Sequence, residues 1–114
     1  MDQSKVRHIA LSLPEAEEAT HWGKASFRVR NKIFTIIQSD LRTITVKTTS
    51  EEREIYTRAN PETYSITESF ANMNYMHINL DTAPDEEVIT LIQSAWCNVA
   101  PKKLVKEFVS NQNT

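Results

Sequence analysis

The stretch that decides the fold is Ala25-Ser26-Phe27-Arg28-Val29-Arg30-Asn31-Lys32-Ile33-Phe34-Thr35-Ile36-Ile37-Gln38. Two runs rich in β-branched and aromatic residues flank Asn31-Lys32, and asparagine tolerates the positive φ that a two-residue hairpin loop demands. The pattern predicts strands over Ala25–Arg30 and Ile33–Gln38. A loop at Asn31-Lys32 pairs Val29 with Phe34 and Phe27 with Ile36, which puts four large apolar side chains on one face. Ser39-Asp40-Leu41 then turns the chain into a third strand that sets Ile44 beside Ile36 and Val46 beside Phe34. The opposite face carries Arg28, Arg30, Thr35, Thr43, Thr45 and Lys47, beside Ile33 and Ile37.

Working outward from this meander, helical periodicity places Val6, Ile9, Ala10 and Leu13 on one stripe of a first helix, Ser4–Leu13, which Pro14 ends. Glu15 to Glu18 read as an acidic loop leading to the His21-Trp22-Gly23 turn. After the third strand, Thr49 and Glu52 have the spacing of a capping box and open a second helix that stops near Asn60-Pro61. Thr63–Thr67 and Tyr75–Leu80 read as strands. Pro84, with Asp85, Glu86 and Glu87 behind it, starts a long helix whose buried arc is Val88, Leu91, Ile92, Ala95, Trp96 and Val99. Pro101 opens a last helix carrying Leu104, Val105 and Phe108. The order α-β-β-β-α-β-β-α-α implies a two-layer α+β domain over residues 1–109, with an antiparallel sheet and helices packed on its apolar face. Residues 110–114 read as a frayed polar tail.

Composition excludes several functions. The chain has 114 residues and a single glycine, Gly23, so neither a Walker loop nor a dinucleotide fingerprint can be written. A lone cysteine, Cys97, excludes an internal disulfide and any multi-cysteine metal site. His8, His21, His77 and Cys97 show no metal-ligand spacing, so no metal and no cofactor is expected. No apolar run approaches the roughly 20 residues of a membrane span, and Met1-Asp2-Gln3-Ser4 does not begin like a signal peptide. The expectation is a cytoplasmic monomer with no membrane partner.

Three stretches resemble the MmcQ/YjbR family: Leu13-Pro14 with Glu17-Glu18; His21-Trp22-Gly23-Lys24 followed by Phe27-Arg28-Val29 and Lys32-Ile33-Phe34; and Val99-Ala100-Pro101-Lys102-Lys103-Leu104. Members of that family often carry a tryptophan in the last strand, where this chain has Asn74-Tyr75-Met76. The resemblance implies an α-β₃-α-β₂-α arrangement similar to secretion chaperones, and a double-wing mode of DNA binding.

Charge points the same way. Lys24–Lys47 holds six basic residues and one acidic one, in a chain whose net charge is −2. Arg28, Arg30 and Lys47, flanked by Lys24 and Lys32, are the candidate phosphate contacts for weak, salt-dependent DNA binding. The same residues also fit a solvated sheet face whose long stems cover apolar surface. Lys102 and Lys103 beside free N–H groups of the last helix form a candidate anion site, although exposed lysines that tolerate a small cost are the simpler reading. Trp22 reads as a lid on the core, with ligand stacking as its alternative role. Gly23 is expected to supply a positive φ. Cys97 projects opposite its helix's buried arc, with no cation in sequence to activate it. No catalytic constellation is readable. The expectation is a non-catalytic binding protein, with a protein- or peptide-binding adaptor of the secretion-chaperone kind as the alternative.

Overall fold

The structure, a computed structural model, describes residues 1–112. Its centre is the expected hairpin, but the loop is Arg30-Asn31, one residue earlier than the asparagine alone suggests. Both residues have positive φ, 49° and 68°, the signature of a type I′ turn. Strand β2 (Lys24–Val29) therefore pairs with β3 (Lys32–Ile37) through Val29 opposite Lys32 and Arg28 opposite Ile33. A bulge then intervenes, so that Phe34 and Thr35 together oppose Phe27, and Ser26 faces Ile36.

The bulge corrects three expectations. Phe27, Val29, Phe34, Ile44 and Val46 do share the buried face, but Ile36 does not join their cluster and Ile37 takes its place. Ile36 lies on the outer face between Ser26 and Thr45, 9% exposed. Thr35, expected outside, is fully buried on the core side opposite Phe27 and Val46. The earlier loop alone would leave Phe34 and Ile36 on the side of Phe27 and Val29; the extra residue of the bulge is what turns Ile36 out and brings Thr35 and Ile37 in, because a one-residue slip moves every following side chain to the other side.

Strand β4 (Thr43–Lys47) continues the meander, and Asp40 shapes the preceding turn by accepting from the N–H groups of Arg42 and Thr43 at 2.9 Å. The Glu15–Glu18 segment, expected as a loop, supplies the first half of an additional edge strand, β1 (Ala16–His21), antiparallel to β2. Its charge suits an edge, where Glu17 and Glu18 discourage pairing with another chain. Beyond β4 come helix α2 (Ser50–Ala59), the two-residue strand β5 (Tyr64–Ser65), a 3-10 turn at Glu68–Phe70 and strand β6 (Tyr75–Asn79). The six strands are ordered β1-β2-β3-β4-β6-β5, every neighbouring pair antiparallel.

Helices α1 (Gln3–Leu11), α3 (Asp85–Val99) and α4 (Lys102–Gln112) supply the second layer of this α+β fold. Val6 and Ala10 of α1 and the expected arc of α3 from Val88 to Trp96 are buried against the sheet. Trp96 sits at the centre, fully buried, its indole N–H donating to the Pro14 carbonyl at 2.9 Å and its ring 5.1 Å from Phe108 of α4. Ser110–Gln112, expected to fray, continue α4, while 113 and 114 lie outside the described residues. The capping box opening α2 is present, with Thr49 and Glu52 exchanging hydrogen bonds of 2.8 and 3.1 Å. Next in that helix, Arg53 binds the Phe70, Ala71 and Met73 carbonyls and so holds the 66–74 connection down. No helix among the described residues is long and apolar enough to cross a membrane.

Candidate functional site

The outer sheet face is built by alternation. With Ile44, Val46, Met76 and Ile78 inward, Thr43, Thr45 and Lys47 of β4 and Tyr75, His77 and Asn79 of β6 must point outward. Lys47 and Tyr75 are cross-strand partners, and the Lys47 ammonium lies 4.8 Å over the Tyr75 ring. Lys32, Ile33, Lys47 and Tyr75 line an open cleft of about 350 Å³ that Asn98 and Val99 of α3 close at the sheet's end. Asn98 is fixed there by donating to the Lys47 carbonyl and to Glu52. Glu52 also accepts from Ser94; burial raises its carboxyl pKa, but the hydrogen bonds outweigh that and hold it below the ordinary value.

A polar chain crosses the middle of the same face. The Lys24 ammonium donates to Gln38 Oε1 at 2.7 Å, and Gln38 Nε2 donates to Thr45 Oγ1 at 2.7 Å. Thr45 Oγ1 meets His77 Nδ1 at 2.7 Å, and His77 Nε2 meets Thr67 Oγ1 at 3.3 Å. Thr45 Oγ1, which accepts from Gln38, keeps both a hydroxyl hydrogen and a second lone pair for Nδ1, so this contact suits either tautomer of the neutral imidazole. Burial, and then the charge of Lys24, hold the His77 pKa below its ordinary value.

Among the expected phosphate contacts, Arg28 lies on the outer face, half-buried, with Nε donating to Ser26 Oγ. Lys32 and Lys47 meet at the cleft, and Lys24 stands at the other end of β2. Arg30 does not join them. It sits in the hairpin turn, where its guanidinium donates to both carboxylate oxygens of Glu15 at 3.1 and 3.2 Å. That hydrogen bonding holds the Glu15 carboxyl below the usual carboxylate range. The strand missed in the sequence also changes the charge balance. Glu17 pairs in register with Arg28, so residues 15–47 hold four acidic side chains against six basic ones. Glu18, on the core side, is bound instead by Arg7 of α1 at 2.9 Å.

Trp22 is no lid: it is 87% exposed at the tip of the β1–β2 hairpin, its ring 6.0 Å from that of His21. Trp22 and Gly23 both have positive φ, 53° and 78°, so the glycine expectation holds. Lys102 and Lys103 are exposed in the first turn of α4, in the helical layer. Cys97 is half-buried, and burial together with Glu52 pushes its thiol pKa up, which leaves it a poor nucleophile. Among the described residues no cluster of three His, Cys, Asp or Glu could hold a metal. Sequence reasoning missed Tyr75, His77 and Asn98 as parts of the site. Extending the strand alternation from β4 to β6 would have found the first two.

Known proteins place this architecture. The crystal structure of Deinococcus radiodurans protein DR2400, with a DUF419 domain, superposes at a TM-score of 0.77 and 20% identity, covering 91% of this chain and 85% of that one. At that identity the likeness speaks for the fold. No curated protein sequence matches the chain. The YjbR family model matches residues 11–98, from the end of α1 through the sheet to Asn98 at the cleft. By that match, spanning all six strands, the chain belongs to the YjbR family.

Proposed function

We propose that this protein binds nucleic acid, without catalysis, on the outer face of its sheet. The observation that carries this reading is the meeting of Lys32, Lys47 and Tyr75 at one cleft, two cations beside an aromatic ring. Neither lysine has a carboxylate within salt-bridge distance among the described residues, so both ammonium charges remain available to phosphates. Arg28 extends the same strip across its partner Ile33. Phosphate contacts release counterions and aromatic rings stack bases, so cations interleaved with an aromatic ring suit a polyanion that also carries bases. The chain's net charge of −2 makes such binding weak and salt-dependent.

Fluorescence anisotropy with labelled oligonucleotides at low ionic strength tests this reading. Replacing Arg28, Lys32 and Lys47 together by serine should abolish binding; the fold should persist, because exposed charges contribute little to stability. Each single replacement should lower the salt slope by about one charge's worth. Arg30→Ser should change affinity far less, since Glu15 already occupies that guanidinium. A wild-type protein that ignores both duplex and single strands at low salt would leave a peptide or protein partner as the better reading.

A further inference from the structure

Trp22 combines two features that rarely coincide. A bulky side chain at φ 53° is strained, and an indole 87% exposed gains almost nothing from burial. Asparagine or aspartate would occupy that type I′ position at lower cost, so stability does not explain the residue, and strain of this kind is stored where a site uses it. The ring's neighbour is His21, paired with Lys24 in β2, and Lys24 reaches over the outer face to Gln38. The exposed indole therefore stands at one end of the same face whose other end holds Lys47 and Tyr75, with Lys32, opposite Val29, at the rim of their cleft.

We infer that the outer face takes single-stranded rather than duplex nucleic acid, with one base stacked on Trp22 and the backbone tracking along Lys24 and Arg28 to the Lys32–Lys47 cleft. This rests on the nucleic-acid reading above and narrows it. The cationic strip runs across three strands, β2 to β4, two strand spacings or on the order of 10 Å. It is flanked by Glu17 on β1 and by the 66–74 connection, which carries Glu68 and no basic residue. A single backbone fits such a strip, whereas the second strand of a duplex would meet the acidic borders. Its ends are separated by the length of β2, about 17 Å along the strands at 3.3 Å per residue, and by the three strand spacings from β2 to β6, about 14 Å across them, or about 22 Å on the diagonal. That spans on the order of four nucleotides, with an aromatic ring at each end, Trp22 exposed and Tyr75 under the Lys47 ammonium.

The chain reports on this itself. It has two tryptophans, and Trp96 is fully buried while Trp22 is exposed, so a change in long-wavelength emission on titration belongs to Trp22. Oligothymidylates of graded length and a blunt mixed-sequence duplex are the probes, with anisotropy of a labelled copy as an independent measure of binding. The expected result is quenching of Trp22 by single strands, a gain in affinity that levels off near four nucleotides, and binding at least tenfold weaker for the duplex. Trp22→Ala should lose roughly five- to a hundredfold in affinity for single strands, the worth of one stacked base, and Trp22→Phe should recover most of it. Circular dichroism confirms that both variants fold. Equal or tighter duplex binding overturns the inference, as does saturation by anisotropy with Trp22 emission unchanged; the outer-face reading survives both. Absence of binding to every probe at low salt removes that reading and this inference together.

Discussion

The Lys47 ammonium rests 4.8 Å above the ring of Tyr75, its direct cross-strand partner on β6. The contact joins the meander, where the basic residues cluster, to a strand that arrives nearly thirty residues later. It also orients both side chains toward one cleft before any ligand is present.

Removing the ring should separate positioning from packing. Tyr75→Ala is expected to cost about 0.5–1 kcal/mol of stability, the scale of a partly exposed cation–π pair. Its effect on oligonucleotide affinity should be larger, because Lys47 loses its support and a base loses a stacking surface. Tyr75→Phe keeps the ring and should leave both quantities near wild type. Urea denaturation and anisotropy on the same preparations check the contrast.

The β1–β2 tip offers two substitutions of opposite sign. Gly23 has φ 78°, and a β-carbon built there meets nothing within 4 Å, so Gly23→Ala suffers only the left-handed backbone cost of about 1–2 kcal/mol. Trp22→Asn should instead stabilise the fold by up to about 1 kcal/mol, because asparagine tolerates the conformation that tryptophan resists. Denaturant midpoints measure both. A destabilised Trp22→Asn would show that the exposed indole contributes to the fold after all.

His77 predicts a pH dependence with a definite sign. Its pKa is depressed in the folded protein by burial and then by Lys24, while in the unfolded chain it titrates near 6.5. Between those two values the unfolded chain binds more protons, so stability rises with pH there. The histidine's contribution is fully present above 6.5 and is lost as pH falls toward the folded value. The neighbours reinforce this: Thr45 Oγ1 faces Nδ1, Thr67 faces Nε2, and the Phe70 ring lies 5.5 Å away, so among the described residues no carboxylate is hydrogen-bonded to the ring to welcome the charge. His77→Gln should flatten the stability profile just below 6.5 while His8 and His21 remain. An unchanged slope would place the titration elsewhere.

Local signals in the sequence carried much of this structure. The Thr49–Glu52 box and the arc from Val88 to Trp96 depend on residues within a turn or two of each other, and periodicity shows them. Strand β1 depends on partners instead. Ala16-Glu17-Glu18-Ala19-Thr20-His21 has no large apolar residue, and only pairing with β2 makes it a strand. The bulge at Phe34-Thr35 is equally non-local, since it is visible only in how β3 lies against β2 and β4. Within the site, Lys24, Arg28, Lys32 and Lys47 announced themselves by charge. Tyr75 and Asn98 reach the cleft from β6 and α3; alternation carried from β4 to β6 foretells the first, and nothing near the basic segment foretells Asn98.

The bulge has a cost, and it falls on Thr35. By turning this residue inward it buries the hydroxyl completely, and Thr35 Oγ1 has no hydrogen-bond partner among the described residues. A buried polar group left unpaired sacrifices its hydration with no return, at about 1–3 kcal/mol. Thr35→Val replaces that hydroxyl by a methyl of nearly the same size, on a β-branched scaffold that β3 favours. The variant should therefore be more stable by about 1 kcal/mol, with the urea midpoint raised and the slope unchanged. Nucleic-acid binding should not move, because Thr35 faces Phe27 and Val46 in the core while Arg28 and Lys47 face outward and Lys32 lies at the cleft at the sheet's end. Thr35→Ser would keep the orphaned hydroxyl, lose a methyl from the core and fall below wild type. If Thr35→Val instead destabilised, the hydroxyl would have to be hydrogen-bonded, which in turn would require Phe34 and Thr35 to sit differently in the bulge.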